Sequence, residues 1–209
     1  AEDGIRAQPR ARGLGDVYKR QLDQRAADFD SVLMVGTGTG LAPFIAMAKQ
    51  LHHDAKNGSG NSRKYTILHT NRTYEELAYH QELLDIEKAE QFDFSYVPTV
   101  SRPTQRDLDD EGMGVGRANN VLRHMFGLPM KEEEIISAAK AGNGDLASAE
   151  AGMKRTTNPE LPKKFSIEGL QDRFDPAKTV IMTCGNPWSM ADIEETAKRS
   201  NIKFEMEEW

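Results

Sequence analysis

The sequence predicts an α/β domain with a five-stranded parallel sheet in the order 3-2-1-4-5 and helices on both faces. Three observations carry this reading. Short apolar runs alternate with segments whose apolar residues recur at spacings of three and four. The first run, 31–35, stops at Gly36, Gly38 and Gly40 and passes into an apolar, helix-like segment. A later run, 179–183, ends in a second turn, Cys184-Gly185-Asn186-Pro187, again followed by helical spacing. Such alternation implies a parallel sheet covered on both faces. Ligands then lie across the carboxyl ends of the first and fourth strands, where the strand order reverses.

Each element has its own signal. Residues 43–51 place Phe44, Met47, Ala48 and Leu51 on one helical face, and 52–61 form a polar loop rich in Gly, Asn and Ser. Residues 64–69 are the second strand. A helix is expected over 73–88, with Thr73 as its cap and Glu76 three residues on as in a capping box. Phe92, Phe94 and Tyr96 alternate in a third strand over 92–97. Residues 115–125 read as a helix, 179–183 as the fourth strand, 189–200 as a helix and 202–204 as a short last strand. Residues 131–175 hold few large apolar side chains and several Asn, Gly and Pro turn signals. They are expected to form a surface insertion with one or two short helices that adds little to the core.

Residues 1–21 are set apart from the fold. The first twelve are polar and patternless, and Asp16-Val17-Tyr18-Lys19-Arg20-Gln21 back-translates to a transposase adaptor used in DNA library preparation. The stretch is read as translated adaptor, with a disordered tail as the alternative. This leaves 22–209 as the domain.

The chain has 209 residues and a net charge of −6, with a pI near 5.5, which argues against a general nucleic-acid surface. A mean hydropathy of −0.65 fits a domain with much solvated loop. One cysteine, Cys184, leaves no intrachain disulfide and fits a reducing, cytoplasmic setting. No apolar run approaches the ~20 residues that cross a bilayer. The five histidines fall in separate places without zinc or iron–sulfur spacing, so no metal is expected.

The glycine turn is a candidate anion site. The N-terminus of a helix presents bare N–H groups and favours negative charge. Glycines let the backbone close on a ligand or take positive φ. The pattern is neither GxGxxG nor a P-loop, since no third glycine at the expected step and no Gly-Lys-Ser/Thr follow. A plain strand–turn–helix junction is the alternative. Arg72, Arg102 and Arg117 follow the second strand, the third strand and the next turn. With those strand ends adjoining, three guanidinium groups can converge on an anion, and guanidinium fits phosphate bidentately. Singly, each is equally a surface ion pair.

Taken in order, the motifs resemble the nucleotide-binding half of the ferredoxin–NADP+ reductase family. Gly36-Thr37-Gly38-Thr39-Gly40-Leu41-Ala42-Pro43-Phe44 resembles its pyrophosphate loop, and Glu76-Leu77-Ala78-Tyr79 with Glu82-Leu83 its second-helix signature. Thr99-Val100-Ser101-Arg102 and Gly116-Arg117 resemble its adenosine-phosphate contacts. Cys184-Gly185-Asn186-Pro187 with Met190 resembles its nicotinamide-side loop, and Trp209 is a terminal aromatic as in bacterial members.

The resemblance implies that Thr37, Gly38, Thr39, Gly40, Leu41, Ala42 and Pro43 hold the NADP(H) diphosphate. Asn71, Arg72, Ser101, Arg102 and Arg117 would hold the adenosine side with its 2′-phosphate. Gly185, Asn186 and Pro187 would border the nicotinamide. His69-Thr70-Asn71-Arg72 offers no carboxylate for a ribose 2′-hydroxyl, which favours NADP over NAD. Cys184 would position the nicotinamide C4, with a small buried side chain as the alternative. Trp209 would stack on the flavin, with packing of a frayed chain end on the core as the alternative, and Glu205, Glu207 or Glu208 could relay a proton.

The family's front half, an FAD-binding barrel with an Arg-x-Tyr-Ser/Thr motif upstream of the glycine loop, is absent from this sequence. Arg63-Lys64-Tyr65-Thr66 lies downstream instead, on the second strand, and is rejected as a flavin site. The expected activity is hydride exchange between NADPH and FAD, then one-electron transfer to ferredoxin or flavodoxin. The fragment alone should be inactive. Rival readings are a reductase serving an oxygenase or haem acceptor, a non-catalytic nucleotide-binding module, and a flavodoxin-like signalling domain. The last lacks the acidic cluster it needs after strand one.

Overall fold

A computed structural model describes residues 22–206. The expectations for 1–21, Glu207, Glu208 and Trp209 lie outside the described residues. The strands are β1 (Ser31–Thr37), β2 (Lys64–Asn71), β3 (Phe94–Val100), β4 (Gly114–Val115), β5 (Thr179–Cys184) and β6 (Lys203–Met206). All pair in parallel, in the order β4-β3-β2-β1-β5-β6. The sheet therefore has six strands rather than five, and its order differs from 3-2-1-4-5 by the edge strand beyond β3. That strand, two residues long, is too short for any periodic signal.

β1 lies between β2 and β5 and is buried from Ser31 to Gly36, which is why its sequence is a continuous apolar run. Its side chains alternate between two cores. Val32 and Met34 pack with Phe44, Met47 and Leu51 of α1 (Ala42–Lys56) and with Leu83 and Ile86 of α2 (His80–Lys88). Leu33 and Val35 face the opposite layer. There they meet Val121 and Met125 of α4 (Ala118–Met125) and Ile193 of α8 (Pro187–Arg199). A short helix, α3 (Gln105–Asp109), follows β3 and is closed by a Thr104–Asp107 capping box.

The helix expected over 73–88 is broken. A 3-10 turn, Tyr74–Glu76, is followed by Tyr79 at φ = +58°, and α2 starts only at His80. The expected capping box does not form, because Glu76 is held by the end of β2. Its carbonyl accepts from Asn71 Nδ2, and its Oε2 accepts from the Arg72 amide at 3.2 Å.

The 131–175 segment forms α5 (Lys131–Lys140), α6 (Leu146–Met153) and α7 (Ile167–Arg173). The expectation that it adds little to the core fails at its end, where Leu170 and Phe174 are buried in the layer with Val121 and Ile193. Residues 156–163 run back along the sheet edge, where Val115 and Glu160 form an antiparallel bridge. No helix among the described residues is long and apolar enough to cross a membrane.

Candidate functional site

The carboxyl ends of β1 and β5 lie side by side, with Gly36 level with Cys184. After Thr37 the chain enters a 3-10 turn, Gly38–Leu41, and then α1, which has proline in its first turn. Gly38 takes φ = +57°, which a side chain would strain. Gly40 has a different reason to be glycine. A Cβ there would lie 2.6 Å from the carbonyl carbon of Cys184 and 2.9 Å from the Gly185 Cα. Gly185 sits at φ = +131°, and a Cβ on it would lie 3.0 Å from Thr37 Oγ1. The two turns therefore interlock backbone against backbone. Thr37 is half-buried, Gly38 and Thr39 are exposed, and Gly40, Leu41 and Pro43 are buried.

A cleft of about 490 Å³ opens over this turn, lined by Gly38, Thr39, Leu41, Ala42, Asn71, Glu76, Ala78 and Tyr79. Its floor is the end of β1 and the start of α1, and its wall is the broken 74–79 segment. The kink that defeats the helix expectation is what supplies Glu76, Ala78 and Tyr79 to the wall. A glycine at positive φ, a close-packed turn and exposed backbone fit the demands of a diphosphate group.

The arginine tips are joined through their backbones. The Ser101 amide donates to the Asn71 carbonyl at 2.9 Å and the Arg102 amide to the Arg72 carbonyl at 2.8 Å. One strand further out, the Gly116 amide donates to the Val100 carbonyl at 2.9 Å. Arg72, Arg102 and Arg117 thus leave three consecutive strand ends, and all three are exposed. Arg117 is already engaged, with its Nη1 donating to Glu132 Oε1 at 3.3 Å. Arg106 of α3 joins this edge, its guanidinium 3.6 Å from the centre of the Tyr74 ring. Sequence reading missed it, although it lies four residues beyond Arg102.

Cys184 is 1% exposed and packs with the apolar layer that holds Leu41 and Phe44. Asn186 caps α8 by accepting from the Trp188 amide at 2.9 Å, and Asn186 and Pro187 are exposed. Trp188 is 84% exposed at the rim of that turn and was also missed, although an indole directly after the Pro187 turn is a visible signal. Tyr65 and Thr66 are buried in β2, where Arg173 Nε donates to Thr66 Oγ1 at 2.9 Å, so Lys64-Tyr65-Thr66 is sheet structure and Arg63 directly precedes it. Glu205 pairs with Lys203 at 3.0 Å on β6. Among the described residues no group of three His, Cys, Asp or Glu is placed to hold a metal ion.

Behind the cleft wall, Tyr96 Oη lies 3.0 Å from His69 Nδ1 and 3.0 Å from His80 Nδ1. The hydroxyl donates to one ring and accepts from the other. Burial, reinforced by the nearby His80, pushes the His69 imidazole down to about 4. Burial, reinforced by Glu87, pushes the Tyr96 phenol up. His69 therefore stays neutral when folded, while the unfolded chain takes up its proton near pH 6.5. Stability is full above pH 6.5, falls as pH drops, and levels off near pH 4. By pH 5 this one group should cost about 2 kcal/mol. Denaturant unfolding at pH 7.5 and pH 5 should show a smaller drop for His69→Gln than for the wild type. An equal drop in both would remove His69 from the explanation.

A family model described as the oxidoreductase NAD-binding domain matches residues 34–142, just over half of the chain. No curated protein matches the chain. Among solved structures, it is similar to the CS-b5R domains of human Ncb5or, at 11% identity over 88% of this chain and 38% of that one, with a TM-score of 0.49. It is also similar to the cytochrome b5 reductase domain of Ulva prolifera nitrate reductase, at 15% identity over 84% and 46%, with a TM-score of 0.42. A mutant ferredoxin-NADP+ reductase from Plasmodium falciparum with 2'P-AMP is 16% identical over 88% and 55%, with a TM-score of 0.41. The chain spans between 38% and 55% of the length of these structures. From the matched segment, which holds the glycine turn, the cleft wall and all three arginine tips, the chain belongs to the oxidoreductase NAD-binding domain family.

Proposed function

We propose that this chain is the NADP(H)-binding domain of a flavin-dependent reductase of the ferredoxin/flavodoxin–NADP+ type. The observation that carries the proposal is the line of arginines on consecutive strand ends beside the glycine turn, with Arg72 and Arg102 joined by a 2.8 Å backbone bond. The diphosphate lies on the amides of Gly38 and Thr39, with the Thr37 and Thr39 hydroxyls helping. The 2′-phosphate lies against Arg72, Arg102 and Arg117, with Ser101 beside them. The nicotinamide reaches the Gly185-Asn186-Pro187 turn, where Cys184 shapes the floor. NADPH held by these residues would supply hydride to an FAD carried mainly by another domain, from which the two electrons would go singly to ferredoxin or flavodoxin and the proton to solvent. The chain's own residues bind and orient, and no proton transfer is needed at the hydride step. Trp209 is proposed to cover the flavin, and a cytoplasmic setting is proposed from the single cysteine.

A second reading keeps the dinucleotide site and changes the acceptor to an oxygenase or haem protein. The 131–175 segment favours it, because it builds the sheet edge beside Arg117 in a way the compact family pattern does not foresee.

Calorimetric titration with NADP+ and NAD+ tests the site. Arg102→Ala should weaken NADP+ binding about tenfold or more, the value of one charge-assisted phosphate contact, and leave NAD+ nearly unchanged. In the intact enzyme the same change should raise KM for NADPH far more than for NADH. Equal effects on both dinucleotides would contradict the 2′-phosphate assignment.

A further inference from the structure

The start of the 131–175 segment and its 156–157 stretch both reach the tips of β3 and β4. Glu132, in the first turn of α5, has a side chain only 12% exposed. Its Oε2 accepts from Asn120 Nδ2 at 2.7 Å, and its Oε1 accepts from Thr156 Oγ1 at 2.9 Å and from Arg117 Nη1 at 3.3 Å. The Asn120 amide is itself fixed, because its Oδ1 accepts from the Lys131 backbone at 3.0 Å. Next to Thr156, the Thr157 hydroxyl donates to the Ser101 carbonyl at 3.0 Å. The carboxylate is thus held by donors from three places in the chain, two of them neutral: the Asn120 amide, and the Thr156 hydroxyl, which shares its one proton with the Gly152 carbonyl at 3.1 Å. A surface ion pair would let the glutamate swing away; this one is fixed.

We propose that Glu132 is a specificity-determining residue. Its fixed carboxylate neutralises Arg117 and restrains the preference for a 2′-phosphorylated dinucleotide over the unphosphorylated one. This rests on the reading that the adenosine 2′-phosphate lies against Arg72, Arg102 and Arg117. A phosphate monoester brings about −1.5 to −2 charge at neutral pH. At Arg117 it meets a carboxylate that its other two donors prevent from retreating. Like charges at close range oppose each other even when partly screened. The Arg117 side chain is 54% exposed, so its remaining N–H groups still reach an incoming anion. The net effect is a weakened contact rather than a lost one, and the inserted segment sets how strongly the site separates NADP(H) from NAD(H).

The test titrates NADP+ and NAD+ into the wild type, Glu132→Gln and Glu132→Ala, with melting temperatures measured alongside. Both variants should tighten NADP+ binding by about tenfold and leave NAD+ within about twofold, as expected for relief of one like-charge contact. Arg117→Ala should then cost more NADP+ affinity in the Glu132→Gln background than in the wild type. Unchanged or weaker NADP+ binding in both folded variants would overturn the role of Glu132. The underlying reading fails differently. If Arg102→Ala and Arg117→Ala leave wild-type NADP+ binding untouched, the phosphate is not at this edge. If they weaken it and the Glu132 variants bring no gain, only the Glu132 proposal falls.

Discussion

Gly40→Ala should weaken dinucleotide binding by about 100-fold or more while the sheet still folds. The added methyl would point into the Cys184 peptide, 2.6 Å from its carbonyl carbon and closer still to its oxygen. Backbone cannot step aside as the end of a flexible side chain can. Either the 38–41 turn or the 184–186 turn must move, and each is the other's support. Overpacking of this kind costs about 1–3 kcal/mol, and contact with a main-chain peptide places it at the upper end. The same shift takes the Gly38 and Thr39 amides off the diphosphate position, so affinity should fall by about 100-fold or more, equivalent to roughly 3 kcal/mol. Gly38→Ala should be milder, because only Asn71 Oδ1 lies within 4 Å of its Cβ, at 3.9 Å, and its cost is confined to the positive φ. Titration with NADP+ and thermal unfolding separate the two. Wild-type affinity in Gly40→Ala would show that the interlocked turns do not form the binding surface.

Removing Glu134 should destabilise the protein more than removing its buried partner. Arg123 of α4 has a fully buried side chain, and its Nη1 donates to Glu134 Oε2 at 2.8 Å and to the Pro129 carbonyl at 3.1 Å. Glu195 of α8 lies 3.4 Å from its Nη2, and Arg199 also pairs with Glu134. Burial opposes the charge on Glu134, yet the hydrogen bonds from Arg199 and Arg123 hold its carboxyl below the usual carboxylate value. Glu134→Ala strands a guanidinium that water cannot reach, with Glu195 as its remaining close carboxylate, and should cost about 3–5 kcal/mol. Arg123→Met removes the buried charge itself, fills most of the space and should cost less. The double variant should recover part of the Glu134→Ala loss, a coupling visible in a double-mutant cycle. Strictly additive losses would show that the ion pair is not what ties α5 to α4 and α8.

Some of this was legible in the sequence, and the physical reasons are specific. β1 and β5 are buried on both faces, so they read as unbroken apolar runs, and the glycines at 38, 40 and 185 mark turns that no other residue fits equally well. α1 and α8 begin next to prolines and keep regular apolar spacing. The kink at Tyr79 was hidden, because Thr73 and Glu76 offer a good helix start that loses to the bonds Glu76 makes with Asn71 and Arg72. Leu170 and Phe174 are two apolar residues in a polar stretch, and only the tertiary fold shows that they seal the core. At the site, the arginines could be named from their places after strands. Their partners could not: Glu132, 15 residues from Arg117, is brought in by a contact with no local pattern. The three-ring network of His69, Tyr96 and His80 was hidden for the same reason.

Amide hydrogen exchange, measured with and without saturating NADP+ and then NAD+, tests the dinucleotide site most directly. NADP+ should slow exchange at residues 38–42 together with 71–72, 101–102 and 116–117, whereas NAD+ should slow the first group and have little effect on the others. Protection confined to the opposite end of the sheet, or identical footprints for the two dinucleotides, would contradict a diphosphate on the glycine turn and a 2′-phosphate on the arginine tips.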